Sequence, residues 1–288
     1  MPHTIAAALG GEQASRREFE FTPHDFERIR KLIYDHAGIA LSPVKSDMVY
    51  SRLARRMRQC GDASFAQYVQ RLETGDLKEW KVFVNSLTTN LTSFFREAHH
   101  FEILAGHIAK IRDRGPLRIW CAAASTGEEP YSIAMTVADA YNSFSPPASI
   151  LASDLDTSVL AHAERGVYGA ERIERLPKEK VQRFFQKGTG AKEGHVRVRP
   201  ELRNLITWKR INLLESNWPG QGALDAIFCR NVMIYFDKPT QYRIIKRMVP
   251  LLREDGLFFA GHSESFLHAA DLLRPLGKTV YARSDTWR

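Results

Sequence analysis

Residues 117–132 read Leu-Arg-Ile-Trp-Cys-Ala-Ala-Ala-Ser-Thr-Gly-Glu-Glu-Pro-Tyr-Ser, and no other stretch restricts the fold so tightly. Leu117, Ile119 and Trp120 make a short buried strand, 122–127 a turn of small residues, and Glu128 onward a helix with Pro130 in its first turn. Strand, small-residue loop and helix in that order open a ligand crevice at the carboxyl end of a strand in an α/β sheet. Glu128 and Glu129 stand at the helix start, and the G-x-G-x-x-G spacing of dinucleotide sites is absent. Carboxylates there repel phosphate, so the loop suits a ligand with a cationic group; a Glu pair favoured only by the helix dipole is the competing reading.

From Leu117 the pattern alternates strand and helix, as in a parallel sheet built from right-handed crossovers. Further strands are expected at 149–153, 206–209, 224–229 and 256–260, with 279–283 as a last edge strand. The polar outliers Glu129, Asp154, Asn212 and Asn231 then all fall at carboxyl ends of strands. Asp154 is placed to accept the hydroxyls of a ribose, with a plain helix cap as the alternative. Residues 184–209 interrupt the alternation: Gly188-Thr189-Gly190, the alternating 195–199 and the apolar 205–208 predict a small antiparallel insert with an exposed edge. Such an edge can take up an extended peptide as an added strand, or can be covered by the body.

Before the sheet, residues 1–18 lack periodicity and read as a loose arm, and 19–90 as a small all-helical domain. Thr22 and Asp25 form a capping pattern before Phe26, Ile29 and Ile33, with Gly38 as a stop. A helix opening at Ser42-Pro43 and ending at Gly61 buries Val49, Leu53, Met57 and Cys60 and carries Lys45, Arg52, Arg55, Arg56 and Arg58 on its outer face. Helices over 62–73 and 76–87 follow, the second with Asp76 and Glu79 as a capping box. The polar linker 88–97 gathers Asn90, Thr92 and Arg96 beside two aromatics, and residues 91–288 make the ligand-binding domain.

Composition narrows the class. The chain has 288 residues, 44% hydrophobic, with a net charge of +8 and a pI near 9.4, which points to an acidic partner. No apolar run approaches the roughly 20 residues needed to span a bilayer, and no signal peptide is evident, so a cytoplasmic protein without membrane insertion is expected. Cys60, Cys121 and Cys229 are widely spaced in apolar settings, and His99 and His100 are adjacent rather than four apart, so no metal is expected.

The segments 87–97, 122–132, 152–156, 228–236 and 261–265 together resemble the CheR-type chemotaxis receptor glutamate O-methyltransferases, in order and over nearly the whole chain after about residue 20. The resemblance implies a Rossmann-like class I methyltransferase sheet, S-adenosylmethionine as cofactor, and methylation of glutamate side chains on bacterial chemoreceptors. It implies that Glu129 faces the amino group of the methionine part, Asp154 the ribose, and Asn212 and Leu213 the adenine. Asn90, Thr92 and Arg96 would close over the cofactor, Arg230 and Asn231 would line the floor, and Arg96 and Tyr235 would lie nearest the transferred methyl. Arg52, Arg55 and Arg56 would position acidic methylation helices of the receptor, and a receptor C-terminal peptide would dock on the insert over Gly188–Arg199. An ionised glutamate and a neutral thioether leaving group need no general base, so an in-line transfer relies on alignment and exclusion of water. Nucleic acid as acceptor and a non-catalytic receptor-binding scaffold are the rival readings; a hydrolase reading of 261–265 fails because Ser265 stands where glycine is required.

Overall fold

A computed structural model describes residues 17–88, 91–218 and 223–284, which divide into a helical unit (to residue 32 and 41–87) and a larger unit (33–40 and from 88 onward). The helical unit draws on α1 (Pro23–Ala37), α2 (Ser46–Cys60), α3 (Phe65–Glu73) and α4 (Leu77–Leu87). The α1 capping box forms as the pattern predicts: Thr22 N–H donates to Asp25 at 2.9 Å and Asp25 N–H to Thr22 Oγ1 at 3.1 Å. Gly61 ends α2 in a left-handed conformation. Of the arm expected over 1–18, only Arg17 and Glu18 lie among the described residues, and they pair with Asp47 and Arg58.

Three helix starts differ from expectation: the first, α2, opens at Ser46 behind a 3-10 turn over Pro43–Lys45 and not at Ser42-Pro43. α3 begins after Ser64, whose hydroxyl accepts the Gln67 N–H, because Asp62 is buried and bound to Arg71 instead. At α4, Asp76 caps the Lys78 and Glu79 N–H groups, but the Glu79 side chain does not reach back. It is buried, 3% exposed, where Arg56, Tyr68 and Cys60 donate to it.

The larger unit opens with α5 (His99–Ile111) and runs through β1 (Leu117–Cys121), α6 (Glu128–Ala140), β2 (Ala148–Asp154), α7 (Thr157–Arg165), β3 (Val167–Gly169), α8 (Lys178–Phe184), β4 (Phe185–Lys187), β5 (His195–Val198) and α9 (Pro200–Arg203). It continues with β6 (Ile206–Arg210), β7 (Leu224–Phe228), α10 (Lys238–Met248), β8 (Leu252–Phe259), β9 (Leu273–Gly277) and β10 (Val280–Arg283). The main sheet has the order β6-β2-β1-β7-β8-β10-β9, with the first five strands parallel. Central strands are buried on both faces, as a parallel sheet covered by helices requires: every residue of β7 is buried. Apolar side chains pack on the two faces of the sheet as separate clusters, one around Phe228 and Phe259 with α5 and α6, the other around Trp120, Phe258 and α10.

Two expectations about strands are corrected. The strand at 280–283 lies inside the sheet; the edge belongs to β9, whose Leu273-Arg274-Pro275-Leu276-Gly277 lacks an alternating apolar pattern. The antiparallel insert is not 184–209: its sheet, of order β3-β5-β4, recruits Val167–Gly169 from after α7, while 206–210 is the outer parallel strand of the main sheet. The parallel strand expected at 206–209 is present, and the same Leu205-Ile206-Thr207-Trp208 run does not belong to the insert, since an apolar run does not reveal its partner.

Candidate active site

The chain runs outward from β1 to β2 and β6, then returns to the other side of β1 for β7 and β8, so the strand order reverses between β1 and β7 while the strands stay parallel. A crevice opens at that switch point, at the carboxyl ends of the strands. The β1–α6 loop crosses it, held by Ala122 N–H to Phe228 C=O at 2.8 Å and Ala124 N–H to Ser153 C=O at 2.9 Å. Gly127 caps α6 with a φ of +98°, and a Cβ there would lie 2.7 Å from that of Ala163 and 2.8 Å from the Tyr168 hydroxyl. Only glycine satisfies both the conformation and the space.

Glu128 and Glu129 part company at this helix start. Glu128 turns to Arg172 and accepts the Thr126 hydroxyl at 2.6 Å. Glu129, 8% exposed, accepts from Arg230 at 2.6 Å and from the Cys121 thiol at 3.3 Å. Burial pushes its carboxyl above the usual range, against the opposing pull of Arg230. Arg230 follows β7, and its side chain is buried: it also donates to the Arg96 carbonyl at 2.7 Å and lies 3.2 Å from Glu97, while its Nε finds no partner. Burial raises the Glu97 carboxyl, but Arg230 and the His262 N–H outweigh it and hold the group below its ordinary range.

Asp154 ends β2 and accepts the Ser125 N–H at 2.8 Å and the Asp156 N–H at 3.0 Å, one on each oxygen. Burial raises its carboxyl, and the N–H groups of Asp156, Ser125 and Leu155 oppose it. Each oxygen keeps a lone pair for a further donor. Asn212 and Leu213 follow β6; the Asn212 side-chain oxygen takes the Leu214 N–H at 3.0 Å, which leaves its NH2 group for a ligand, and Leu213 is buried. Asn231 adopts a left-handed φ of +58°. Tyr235 ends a short 3-10 turn over Met233–Tyr235, half-buried, with its carbonyl accepting the Ala40 N–H at 2.7 Å.

The linker before α5 is fixed by the small sheet. Phe94 packs edge-on against Tyr168 and Phe185, with ring centroids 5.0 and 5.3 Å apart, the Thr92 carbonyl accepts from Arg172 at 3.0 Å, and Phe95 N–H donates to Ser132 at 2.9 Å. Arg96 is half-buried and donates to the Leu91 carbonyl at 2.9 Å. Asn90 lies outside the described residues.

In the helical unit, the predicted basic face of α2 is only partly outward. Arg55 is exposed and Arg52 donates to the Ser86 carbonyl at 3.2 Å, but Arg56 is spent on Glu79 with a contact of 2.6 Å. That corrects its placement beside Arg52 and Arg55 on the outer surface.

Two contributors escaped the sequence reading. Glu97 and Glu264 enter only within the segments 87–97 and 261–265 that carry the family resemblance, with no role of their own; both are acids without local pairing signals. Glu97, His99 and His100 bring ligand atoms within 4.8 Å of one another, but the Arg230 guanidinium beside Glu97 repels a cation. His100 Nε2 is engaged with the Lys278 carbonyl at 2.9 Å.

Residues 90–282 match the family described as CheR methyltransferase, SAM binding domain, and residues 24–88 its all-alpha domain. The chain belongs to the CheR methyltransferase family. It is 53% identical to chemotaxis protein methyltransferase 2 of Pseudomonas aeruginosa over 98% of this chain and 99% of that protein. It is also 53% identical to the chemotaxis protein methyltransferase of Escherichia coli, and to that of Salmonella typhimurium, over 90% of this chain and 90% of each relative. The fold is thus the class I methyltransferase fold with an all-helical N-terminal domain and a three-stranded antiparallel sheet, the enzyme class is methyltransferase, and the cofactor is S-adenosylmethionine. No helix among the described residues is long and apolar enough to cross a membrane.

Proposed function

We propose that this enzyme methylates glutamate side chains of bacterial chemoreceptors, forming glutamyl methyl esters. The observation that carries the reading is the convergence of Glu129, Asp154 and Arg230 at the carboxyl ends of neighbouring strands beside the sheet's switch point. That donor set fits the cofactor: one buried carboxylate for an ammonium group, one with spare lone pairs for a ribose, and a buried guanidinium with an unpartnered Nε. When bound, S-adenosylmethionine supplies a methyl group on a sulfonium, with a neutral thioether as leaving group.

Glu129 holds the amino group, and a cation beside it favours the ionised form that burial alone disfavours. Asp154 holds the ribose hydroxyls, and Asn212 and Leu213 the adenine. Arg230 and Asn231 form the floor, and Thr92, Arg96 and Asn90 close over the site. An incoming glutamate is ionised at neutral pH, so no side chain has to remove a proton. Arg96 and Tyr235 orient the acid, and the buried crevice keeps water away from an in-line transfer. Arg52 and Arg55 steer an acidic receptor helix, since opposite charges raise the rate of encounter.

The small antiparallel sheet supports a second contact. β3 and β4 are its outer strands, and β4 leads into Gly188, where a Cβ would meet the Lys192 backbone. Within the expected docking stretch Gly188–Arg199, His195–Val198 is the central strand and is paired on both sides, so a receptor C-terminal peptide would add its strand at the outer edge of β4, next to Gly188, and raise the effective concentration of substrate without touching the crevice.

Transfer of radiolabelled methyl to chemoreceptor membranes, beside RNA and DNA, tests the reading. Alkali-labile label on receptor protein is expected, and Arg96→Ala is expected to abolish it. Label confined to nucleic acid, or cofactor binding with no label anywhere, would sink the reading.

A further inference from the structure

The crevice residues after β7 hang on a group that the chemistry above does not use. β7 and β8 are paired in parallel as far as Phe228 and Phe259, and Cys229 N–H still reaches the Phe259 carbonyl at 2.9 Å. Beyond that point the backbones separate into the loops 230–235 and 261–265, and Glu264 stitches them together again. Its carboxylate, in a residue 5% exposed, accepts the Gly261 N–H at 2.5 Å, the Asn231 N–H at 3.0 Å and the Met233 N–H at 2.8 Å. Among the described residues no Lys, Arg or His forms an ion pair with it. Burial raises this carboxyl, and the N–H groups of Gly261, Asn231, Met233 and Ile234 oppose it, so backbone dipoles supply the compensation.

Two further constraints act on the same turn. Asn231 is a non-glycine residue at a φ of +58°, a conformation that needs outside support. Gly261 presses against it: a Cβ there would lie 2.8 Å from the Asn231 backbone nitrogen and closer to its side-chain amide. The Met233 N–H belongs to the open start of the 3-10 turn that ends in Tyr235, a donor with no partner inside the turn. One buried carboxyl therefore fixes the conformation of Asn231 and the start of the turn that carries Tyr235.

We infer that Glu264 is a positioning residue for methyl transfer: through the Asn231 and Met233 N–H groups it holds the 230–235 turn in the shape that presents Asn231 and Tyr235 to the cofactor. The inference rests on the cofactor-site reading proposed above. Replacing Glu264 with Gln keeps the size but turns one acceptor into a donor aimed at N–H groups. The turn would then relax, with loss at residues that Glu264 itself does not join in the crevice.

The test is calorimetric titration of the full chain with S-adenosylhomocysteine, together with initial rates on receptor membranes, for Glu264→Gln, Gly261→Ala, Asn231→Gly and the Glu264→Gln/Asn231→Gly pair. Glu264→Gln is expected to weaken binding and lower kcat/KM by roughly 10- to 100-fold, well below its melting temperature. In the Asn231→Gly background, Glu264→Gln is expected to cost less than it does alone, because the conformation of residue 231 no longer needs support, while the part that runs through the Met233 N–H to Tyr235 remains. Gly261→Ala, which displaces Asn231 by contact, is expected to weaken binding in the same way and decides the matter if Glu264→Gln does not fold. A folded Glu264→Gln with normal affinity and kcat, or fully additive losses in the pair, would overturn the inference and leave Glu264 a stability residue only. Unchanged binding in Asn231→Gly would instead remove the cofactor-site reading, and this inference with it.

Discussion

Each unit of the molecule buries a carboxylate against an arginine, and the two networks are finished differently. In the helical unit Glu79 receives Arg56 through two nitrogens, the Tyr68 hydroxyl at 2.7 Å and the Cys60 thiol at 3.5 Å, and no atom of Glu79 is left without a partner. In the crevice Arg230 is shared among Glu129, Glu97 and the Arg96 carbonyl, yet its Nε and the His100 Nδ1 lack hydrogen-bond partners despite being buried. Burial raises the Glu129 carboxyl in the crevice, whereas four donors bring the Glu79 carboxyl below its ordinary range despite burial. A network built for stability closes its hydrogen bonds; a network built for a ligand leaves them for the ligand to complete.

Breaking each network in turn tests this comparison. Arg230→Ala leaves Glu129 and Glu97 facing each other, and is expected to abolish cofactor binding by calorimetry and methyl transfer with it. Its folding stability should fall by about 3–5 kcal/mol in denaturant unfolding, as for the loss of one partner of a buried ion pair. Glu79→Gln is next in size: a loss of up to about 3 kcal/mol in the same unfolding measurement, with S-adenosylhomocysteine affinity unchanged. Equal losses of cofactor affinity in the two variants would erase the distinction.

The sequence carried the crevice better than the networks. Strand, small-residue loop and helix at 117–140 fall within a residue of expectation because Gly127, Pro130 and the apolar spacing are local signals. Thr22 with Asp25 caps its helix for the same reason. What was lost depends on partners distant in sequence. Glu79 looked like the third residue of a capping box until Arg56 and Tyr68, 23 and 11 positions away, drew it inward. Arg56 looked like a member of a basic face, Val167–Gly169 was too short to announce a strand, and Glu264 binds backbone groups that carry no sequence signature. Asn212 was legible as a polar residue at a strand end, but not that its oxygen would be taken by Leu214.

Protonation sharpens the same contrast with a smaller effect. His100 is buried behind Arg230, and burial together with the Arg230 charge pushes its pKa down to about 4. Its unfolded form titrates near 6.5, so between those values the unfolded chain takes up a proton that the folded one refuses. Stability should therefore fall as pH drops from about 6.5 to 4, by on the order of 3 kcal/mol at full shift. His100→Gln should flatten that part of a urea-unfolding profile; an unchanged profile would assign the acid sensitivity elsewhere.

Arg55 and Arg56 are neighbours on α2, and they give the comparison its finest test. Arg56 belongs to the closed network through Glu79, so Arg56→Ala should lower thermal stability by several degrees. Arg55 is exposed, and a solvated charge contributes little to folding but acts on encounter through its field. Arg55→Ala is expected to raise the receptor KM by roughly two- to fivefold at low ionic strength, with kcat, cofactor affinity and melting temperature unchanged. Because a field of this kind is screened over about 8 Å at physiological salt, the difference from wild type should shrink as salt is added. A KM effect that persists at high salt would mean that Arg55 makes a direct buried contact with the receptor, and an effect of Arg55→Ala on melting temperature would place it with Arg56 in the fold.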